Sequence, residues 1–406
     1  MIRRELYLSR IRPFMGTDLV KVITGMRRSG KSVMLDLIKE DLISSGVPRE
    51  NIISLNFESL DNAGLCTAES LWQELSTRIR GISGQSRLFL DEIQEVASWE
   101  RCINSLRADF DCDIYITGSN ARLLSGELAT LLGGRYAEFT IYPFSLREYA
   151  ASRQGSSAES GAVSQDTLKE YLQYGGMPFL SHIPGTGEVA IQYLTDLYNS
   201  IILKDVATRN RVRDLDLLQR IILFVISNTG RTFSARSIAS YLKSEGRTVA
   251  PETVLNYVRY CCDACLLQRI GRSDLSGKKL LSVNEKYYLT DHGIREAVYG
   301  GGLKDIELLM ENVICMELIR RRYKVTVGRY GDREIDFVAD RDGKRIYVQS
   351  SYLLASLETV QREFGVLDHI RDNFPKYVVT MDEIDMSRNG IRHMHLKEFL
   401  LAEDWD

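Results

Sequence analysis

The segment from Gly25 to Ser32, GMRRSGKS, constrains the fold of this chain more than any other stretch. Its spacing, G-x-x-x-x-G-K-[ST], is that of a loop whose backbone N–H groups close around a polyphosphate. The β-branched stretch LVKVIT precedes it, and SVMLDLIKEDLI, with its apolar residues spread as on a helix, follows it. A strand, a glycine loop and a helix in this order predict a nucleotide site rather than a glycine turn that matches by chance.

The residues of this loop have expected roles. Lys31 is expected to reach the β- and γ-phosphates, and the hydroxyl of Ser32 is expected to bind Mg²⁺. The predicted nucleotide-binding residues are Gly25, Met26, Arg27, Arg28, Ser29, Gly30, Lys31 and Ser32.

Two acidic residues follow a predicted strand in RLFLDEIQ. A nucleotide site with Mg²⁺ needs one carboxylate to orient the metal and a second group to activate a water molecule. Asp91, at the strand end, is the predicted metal-orienting carboxylate, and Glu92 is the residue predicted to polarise the attacking water. The spacing behind the phosphate loop favours this interpretation over two solvated acids at the end of a strand.

Two later segments carry further candidates. IYITGSN places Ser119 and Asn120 where they could hydrogen-bond the γ-phosphate or the water, although ordinary turn chemistry explains them equally well. In LLGGRY, Arg135 could stabilise charge on the nucleotide of a neighbouring subunit in a homo-oligomer, with a surface salt bridge as the alternative. The predicted catalytic residues are therefore Glu92, Ser119 and Arg135.

The order of elements predicts several domains, because 406 residues are too many for one typical domain. Up to residue 150, strands alternate with helical stretches, a pattern typical of a parallel sheet covered by helices. A Ser-, Gly- and Ala-rich loop follows, and then a helical region and a helix–turn–helix with strands that resembles a winged helix. The predicted strands of the first domain are 20–24, 52–56, 87–90, 114–117 and 137–141.

These motifs together resemble a known family. The set GMRRSGKS, LFLDEIQEVASWE, ITGSN, LLGGRY, YPFSLREY and YGGMP, with the later YLTDHGIR, MEN and YVQSSY, is similar to that of prokaryotic AAA-type ATPases with a C-terminal domain of unknown function. The resemblance covers nearly the whole chain and implies that ATP and Mg²⁺ are its ligands. Around YGGMP, no arginine matches a second sensor of such ATPases.

The resemblance implies an α/β fold class with a P-loop core and further modules. Residues 1–150 are expected to form an AAA-type P-loop ATPase domain with a parallel sheet. Residues 151–230 would then be a helical lid or linker, and residues 231–300 a winged-helix-like domain. Residues 301–406, with the pattern helix, three strands, helix and strand, would be a C-terminal α/β domain with a nuclease-like fold.

The nuclease-like region lacks part of the pattern that cleavage requires. Restriction-enzyme folds place an acid before a β-hairpin that carries Asp and the pair Glu-x-Lys around Mg²⁺. Glu311 and Asp336 are present, but the positions of the Glu and the Lys hold Gln349 and Ser351. A neutral amide is a poor Mg²⁺ ligand, and a serine cannot supply the charge of a lysine. The sequence therefore predicts a nuclease scaffold without nuclease activity.

Two functions remain open. In the first, ATP hydrolysis drives a conformational switch of C-terminal modules against a protein partner. In the second, the chain is a DNA-associated regulatory module in which ATP is mainly a structural ligand, although the same fold often binds proteins instead. Residues 201–300 carry more Lys and Arg than Asp and Glu. The basic residues that could lie along DNA are Arg236, Lys243, Arg247 and Arg259.

Composition limits the partners and the cellular compartment that the sequence predicts. The net charge is −3, so no overall basic field indicates nucleic acid as the partner. Seven scattered cysteines and the absence of a secretory leader in MIRRELYLSRI indicate a reducing cytoplasm. No run of about 18 apolar residues is present, so we expect no membrane span.

Overall fold

The chain divides into two compact units. The computed structural model describes residues 2–118, 130–154, 163–183, 187–275, 279–300 and 302–405. The first unit comprises Met1–Pro143 with Asp263–Cys265, and the second comprises Phe144–Cys262 with Leu266–Asp406. The domain boundaries expected after residues 150, 230 and 300 stay predictions.

A five-stranded parallel sheet forms the centre of the first unit. Its strands are β1 Val20–Thr24, β2 Ile52–Asn56, β3 Ser86–Asp91, β4 Cys112–Thr117 and β5 Tyr136–Thr140. The spatial order is β2-β3-β4-β1-β5. The inner strands β1, β3 and β4 are almost entirely buried because both faces of the sheet are covered, whereas β2 and β5 are partly exposed at the edges. The predicted parallel sheet is confirmed, with strand ends within two residues of those expected.

Helices cover both faces of this sheet. They are α1 Glu5–Ile11, α2 Lys31–Ser44, α3 Ala68–Arg80 and α4 Trp99–Asp109. Apolar residues of α3 and α4 pack with one face of the strands, and those of α1 and α2 pack with the other face. The phosphate-loop segment joins β1 directly to α2, so its position is set by two elements that the core holds firmly.

The second unit contains most of the helices. They are α5 Leu146–Gln154, α6 Gln165–Tyr174, α7 Gly187–Ser200, α8 Leu215–Ser227, α9 Ala235–Ser244, α10 Pro251–Asp263, α11 Gly293–Tyr299, α12 Ile306–Arg320, α13 Leu357–Asp368 and α14 Leu396–Leu401. A π-helical stretch, Ile201–Thr208, continues from α7. Within the described ranges, no helix is long and apolar enough to cross a membrane.

Seven strands form a mixed sheet in the second unit. They are β6 Leu267–Asp274, β7 Lys279–Leu289, β8 Lys324–Tyr330, β9 Arg333–Arg341, β10 Lys344–Ser350, β11 Lys376–Thr380 and β12 Ile391–His395. The order is β12-β11-β10-β9-β8-β6-β7, with β6 parallel to β8 and antiparallel to β7. The hairpin of the winged-helix-like segment therefore belongs to the same sheet as the strands that follow residue 300.

Candidate functional site

The backbone of the phosphate loop has a shape that glycine makes possible. Gly25 has φ of 141° and Gly30 has φ of 98°, both in the region that residues with a Cβ rarely adopt. A Cβ on Gly25 would lie 2.2 Å from the carbonyl oxygen of Ile141, much closer than atoms can approach. Arg28 adopts a left-handed conformation as well, with φ of 65°. The loop is therefore a tight, fixed turn between β1 and α2.

The polar groups of this loop are arranged as in an anion site. Lys31 is the first residue of α2 and is 4% exposed, and its Nζ lies 3.3 Å from the carbonyl oxygens of both Gly25 and Met26. The hydroxyl of Ser29 is buried and has no hydrogen-bond partner within the described part of the chain. Unpaired N–H groups and the dipole at a helix N-terminus attract negative charge. A polyphosphate fits this combination of donors.

The other loop residues differ in exposure. Met26 is fully buried and Arg27 is half-buried, whereas Arg28 and Ser32 are exposed. Ser32 follows Lys31 in the first turn of α2, so its hydroxyl is accessible to a metal ion bound at the loop. The assignment of these residues to ATP and Mg²⁺ stays a prediction.

Asp91 is held by two neighbouring strands at the end of β3. Its Oδ2 accepts a hydrogen bond from Asn56 Nδ2 at 3.2 Å, and its Oδ1 accepts one from the hydroxyl of Thr117. The side chain is buried, with 6% exposed. Because strands in a sheet are about 4.8 Å apart and β4 separates β3 from β1, Asp91 lies roughly 10 Å across the sheet from the start of the phosphate loop. That gap suits a metal ion and a water molecule.

Glu92 begins a strained turn directly after Asp91. Its φ is 56°, an unusual value for a residue with a side chain. Its backbone N–H donates to Thr117 Oγ1 at 2.9 Å, and its carboxylate accepts a hydrogen bond from the side chain of Gln94. Thr117 therefore fixes both acids: it donates to the carboxylate of one and accepts from the backbone of the other.

Thr117 and Asn56 are site residues that the sequence interpretation did not select. Thr117 lies in the motif ITGSN, two residues before Ser119, which was chosen instead. The sequence could have indicated Thr117, because it is the last residue of an apolar strand. That strand, β4, runs parallel to β3 and ends beside the end of β3. Ser119 and Asn120 themselves lie outside the described residues.

Arg135 lies far from the phosphate loop of its own chain. It precedes the edge strand β5, and its carbonyl accepts a hydrogen bond from the backbone N–H of Val20 at the start of β1. Because β1 and β5 run parallel and Tyr136 lies opposite Val20, Arg135 is roughly 17 Å along the strand from the end of β1 where the loop begins. Its side chain is exposed, and no residue in the described ranges forms an ion pair with it.

Charged side chains from β7, β9 and the helix α12 lie close together in the second unit. Lys286 Nζ lies 2.9 Å from Glu311 Oε1 and 2.8 Å from Glu334 Oε1. Although burial opposes its charge, the nearby Glu311, Asp336 and Glu334 raise the pKa of Lys286. Burial, followed by the charge of Glu311, raises the pKa of Asp336 well above its usual value. In this cluster Lys286 supplies positive charge beside three acidic side chains.

The two positions where the nuclease pattern requires Glu and Lys have structural contacts. Gln349 donates from Nε2 to Glu363 Oε2 at 2.9 Å and accepts from the backbone N–H of Asp336 at 3.3 Å. Ser351 is buried, and its N–H donates to the carbonyl of Val379. In the part of the chain that the structure describes, no three His, Cys, Asp or Glu residues are grouped to hold a metal ion. The expected lack of nuclease activity stays a prediction.

One of the basic residues expected to face DNA is engaged within the protein. Arg247, between α9 and α10, lies 3.0 Å from the carboxylate of Asp214 and also pairs with Asp216. Its charge is partly balanced there, and its role in DNA contact stays a prediction. The other three residues are exposed: Arg236, Lys243 and Arg259.

Comparison with protein families places a known domain over this site. The sequence model described as "AAA domain" matches residues 17–150. It includes the phosphate loop, Asp91, Glu92 and Arg135. A second match, "Domain of unknown function (DUF8612)", covers residues 165–305. The first unit is therefore built around an AAA domain with its phosphate-binding loop.

Relatives match nearly the full length of the chain. An uncharacterized protein of Haemophilus influenzae is 36% identical over 402 residues, with 99% of each chain covered. An uncharacterized protein of Methanocaldococcus jannaschii is 26% identical over 386 residues, covering 90% of this chain and 82% of the relative. Among solved structures, the Aeropyrum pernix ORC1 protein in complex with DNA aligns with a TM-score of 0.32 at 14% identity, over 73% of this chain and 92% of that one.

Proposed function

Because this chain belongs to the same family as the Haemophilus influenzae protein and carries an AAA domain, we propose that it is an ATPase that hydrolyses ATP to ADP and phosphate. In this proposal, hydrolysis in the first unit drives a conformational switch of the modules that follow it. Turnover is slow and increases when a partner protein engages those modules.

One observation carries the proposal: two acids at the end of β3 are fixed by one threonine beside a phosphate loop. Thr117 holds both Asp91 and the backbone of Glu92. Lys31 and the buried hydroxyl of Ser29 lie in the loop two strands away. A lysine suited to bind phosphate and a fixed carboxylate therefore lie at the same end of the parallel strands, and this supports the proposed hydrolysis of a phosphoanhydride.

Each residue has a role in the proposed reaction. The N–H groups of the loop and the ammonium of Lys31 bind the phosphates. Ser32 and Asp91 would hold Mg²⁺, which would supply further positive charge for the phosphates. The carboxylate of Glu92 orients a water molecule and pulls on its proton. Ser119 is proposed to hydrogen-bond the γ-phosphate or this water.

Arg135 is proposed to act in a neighbouring subunit. Its exposed position at the opposite end of β5 supports a contact with the nucleotide of another copy rather than of its own chain. A guanidinium supplied in this way stabilises the charge of the transition state. The proposal therefore includes a homo-oligomer as the active form.

Calorimetry with ATP and Mg²⁺ tests the nucleotide site. We expect wild-type protein to bind ATP and Lys31→Ala to lose measurable affinity, because the β- and γ-phosphates lose their ammonium partner. Lys39→Ala removes a lysine from the same helix that pairs with Asp36, and it should bind like wild type. Equal ATP affinity in the Lys31 and Lys39 variants would contradict the assignment of the loop.

A second candidate function is a DNA-associated regulator in which ATP is mainly a structural ligand. The helices α9 and α10 with the hairpin β6–β7 support a winged helix, and exposed Arg236, Lys243 and Arg259 favour this alternative. It predicts DNA affinity that falls steeply with salt and survives Glu92→Gln. DNA titrations at two salt concentrations, with both proteins, distinguish it from the ATP-driven switch.

A further inference from the structure

A buried arginine lies between the phosphate loop and the end of the first unit. Arg4 precedes α1 and is 2% exposed, which is rare for a charged residue. Its guanidinium donates to the carbonyl oxygen of Ser29 at 3.2 Å and to that of Tyr142 at 2.8 Å. A third contact reaches the carbonyl of Pro143 at 3.5 Å. One side chain thus joins the loop to a segment more than a hundred residues later.

Tyr7, in α1, reinforces this connection. The guanidinium of Arg4 lies over its ring, 4.5 Å from the centroid. The phenol oxygen of Tyr7 accepts a hydrogen bond from the backbone N–H of Tyr142 at 3.2 Å. Tyr7 is itself buried. The N–H and the carbonyl of Tyr142 are therefore both held by α1 and the residue before it.

The loop also contacts this segment directly. The carbonyl oxygen of Ile141 is packed so closely on Gly25 that no Cβ fits between them. The N–H of Ile141 donates to the carbonyl of Thr24 at 2.8 Å. Residues 141–143 are thus fixed to the start of the loop by backbone contacts and to Ser29 through Arg4.

The geometry of a peptide bond gives the Arg4 contact a consequence for phosphate binding. The carbonyl of Ser29 and the N–H of Gly30 belong to one planar trans peptide, and they point in opposite directions. Arg4 holds the carbonyl on its side, which directs the N–H of Gly30 to the other side of the loop. A phosphate that engages this N–H would therefore change the strength or the direction of the Arg4 contact.

We propose that Arg4 is a positioning residue that couples the phosphate loop to the chain leading out of the first unit. Pro143 ends the long first segment of that unit, and Phe144 is the first residue of the second unit. A shift of the Ser29–Gly30 peptide on phosphate binding or release moves the guanidinium, and with it the carbonyls of Tyr142 and Pro143. This inference rests on the proposed nucleotide binding. It adds the contacts through which a change at the nucleotide site reaches Tyr142 and Pro143.

Hydrogen exchange of the backbone measures this coupling directly, since the N–H of Tyr142 reports on its bond to Tyr7. Exchange is compared with and without ATP and Mg²⁺ in wild type, Arg4→Lys and Tyr7→Phe, with ATP affinity measured by calorimetry on the same samples. Lysine keeps the charge but cannot bridge several carbonyls as a planar guanidinium does. Arg3→Lys is the matched control, because Arg3 is exposed and pairs with Glu5 and Asp41.

In wild type and Arg3→Lys, we expect ATP to slow exchange in the loop and to change exchange at Tyr142. In Arg4→Lys, ATP should still bind within a few-fold of wild-type affinity and protect the loop, but the change at Tyr142 should be lost. Tyr7→Phe removes one hydroxyl and carries the same test if the Arg4 variant is unstable.

Two results separate the coupling from the proposed function. If ATP binds wild-type protein and protects the loop but leaves hydrogen exchange at Tyr142 unchanged, the coupling alone is overturned. A full-size change in exchange at Tyr142 in both variants overturns the coupling as well. If wild-type protein binds no ATP, the proposed function is overturned and the coupling loses its basis.

Discussion

The hydroxyl of Thr117 donates a hydrogen bond to the carboxylate of Asp91 on the neighbouring strand. The same oxygen accepts the backbone N–H of Glu92 at 2.9 Å. Removing it would leave Asp91 with Asn56 as its described hydrogen-bond donor and would leave the N–H of Glu92 without its acceptor. A residue that need not touch the nucleotide therefore controls the position of both acids.

Thr117→Val tests this arrangement, because valine has nearly the same shape but lacks the hydroxyl. Losing a partner that orients a metal ligand typically lowers activity or metal affinity by about 10- to 100-fold, and we expect a decrease of this size in ATP hydrolysis. Steady-state turnover at several Mg²⁺ concentrations measures it. Thr117→Ser restores the hydroxyl and should recover most of the rate, and wild-type turnover in the valine variant would show that the hydrogen bond is not needed.

Arg135→Ala should lower turnover by roughly a thousandfold or more while ATP affinity stays nearly intact, because an arginine supplied from a neighbour acts on the transition state. Turnover of wild type should also rise with protein concentration. Mixing Arg135→Ala with Glu92→Gln protein should restore activity, since each supplies the group that the other lacks. Turnover that is independent of concentration, with no recovery on mixing, would leave Arg135 as a structural residue.

The buried carboxyl of Asp291 should make the stability of the second unit depend on pH. Its carboxylate accepts the N–H groups of Gly176 at 2.8 Å and Gly293 at 3.0 Å, and burial raises its pKa to about 7. A raised pKa means that the folded state takes up a proton between about pH 4 and pH 7. The contribution of Asp291 to stability is therefore greatest at low pH and is lost as the pH rises to 7. Neighbouring His292, whose pKa burial lowers to about 4, acts in the opposite sense.

Asp291→Asn cannot take up this proton, so its destabilisation relative to wild type should be larger at pH 5 than at pH 8. The difference should grow by up to about 1.4 kcal/mol for each pH unit below 7. Urea denaturation at pH 5, 6 and 8 measures it. Asp332→Asn, at a fully exposed carboxylate, is the control. Equal destabilisation by Asp291→Asn at all three pH values would contradict the raised pKa.

The strands of the first unit could be predicted because a sheet buried on both faces requires continuous apolar runs. ITGSN and RLFLDEIQ showed where two of these strands end in polar residues, and the phosphate loop was recognised from its glycine spacing. These signals are local in the sequence. They led to the choice of Lys31, Asp91 and Glu92 as candidates without any knowledge of the strand order.

The contacts of Arg4 and Asp291 could not be predicted in the same way. Arg4 is followed by Glu5 near the chain start and has the pattern of a surface charge, but its partner Tyr142 lies 138 residues later. Asp291 similarly meets Gly176, which lies 115 residues earlier. Only the folded chain brings these groups together, and burial then gives them properties that their neighbours in sequence do not indicate.

The last strand of the second sheet was also missed. β12, with the sequence IRHMH, is short and contains two histidines, so it lacks the apolar alternation that predicts a strand. In the structure, His393 is buried and shares a hydrogen bond with Thr380 of β11 at 2.7 Å. A histidine that is hydrogen-bonded to the neighbouring strand therefore occupies a buried position of β12, where the strand pattern would require an apolar residue.

ATP hydrolysis by purified protein, measured beside Glu92→Gln, tests the central claim most directly. The amide has nearly the shape of the carboxylate but cannot pull a proton from water, so we expect bound ATP in both proteins and phosphate release in wild type only. Adding DNA to the same assay shows whether it changes the rate. Phosphate release by Glu92→Gln at the wild-type rate, or wild-type protein that binds ATP and releases no phosphate with or without DNA, would contradict the account.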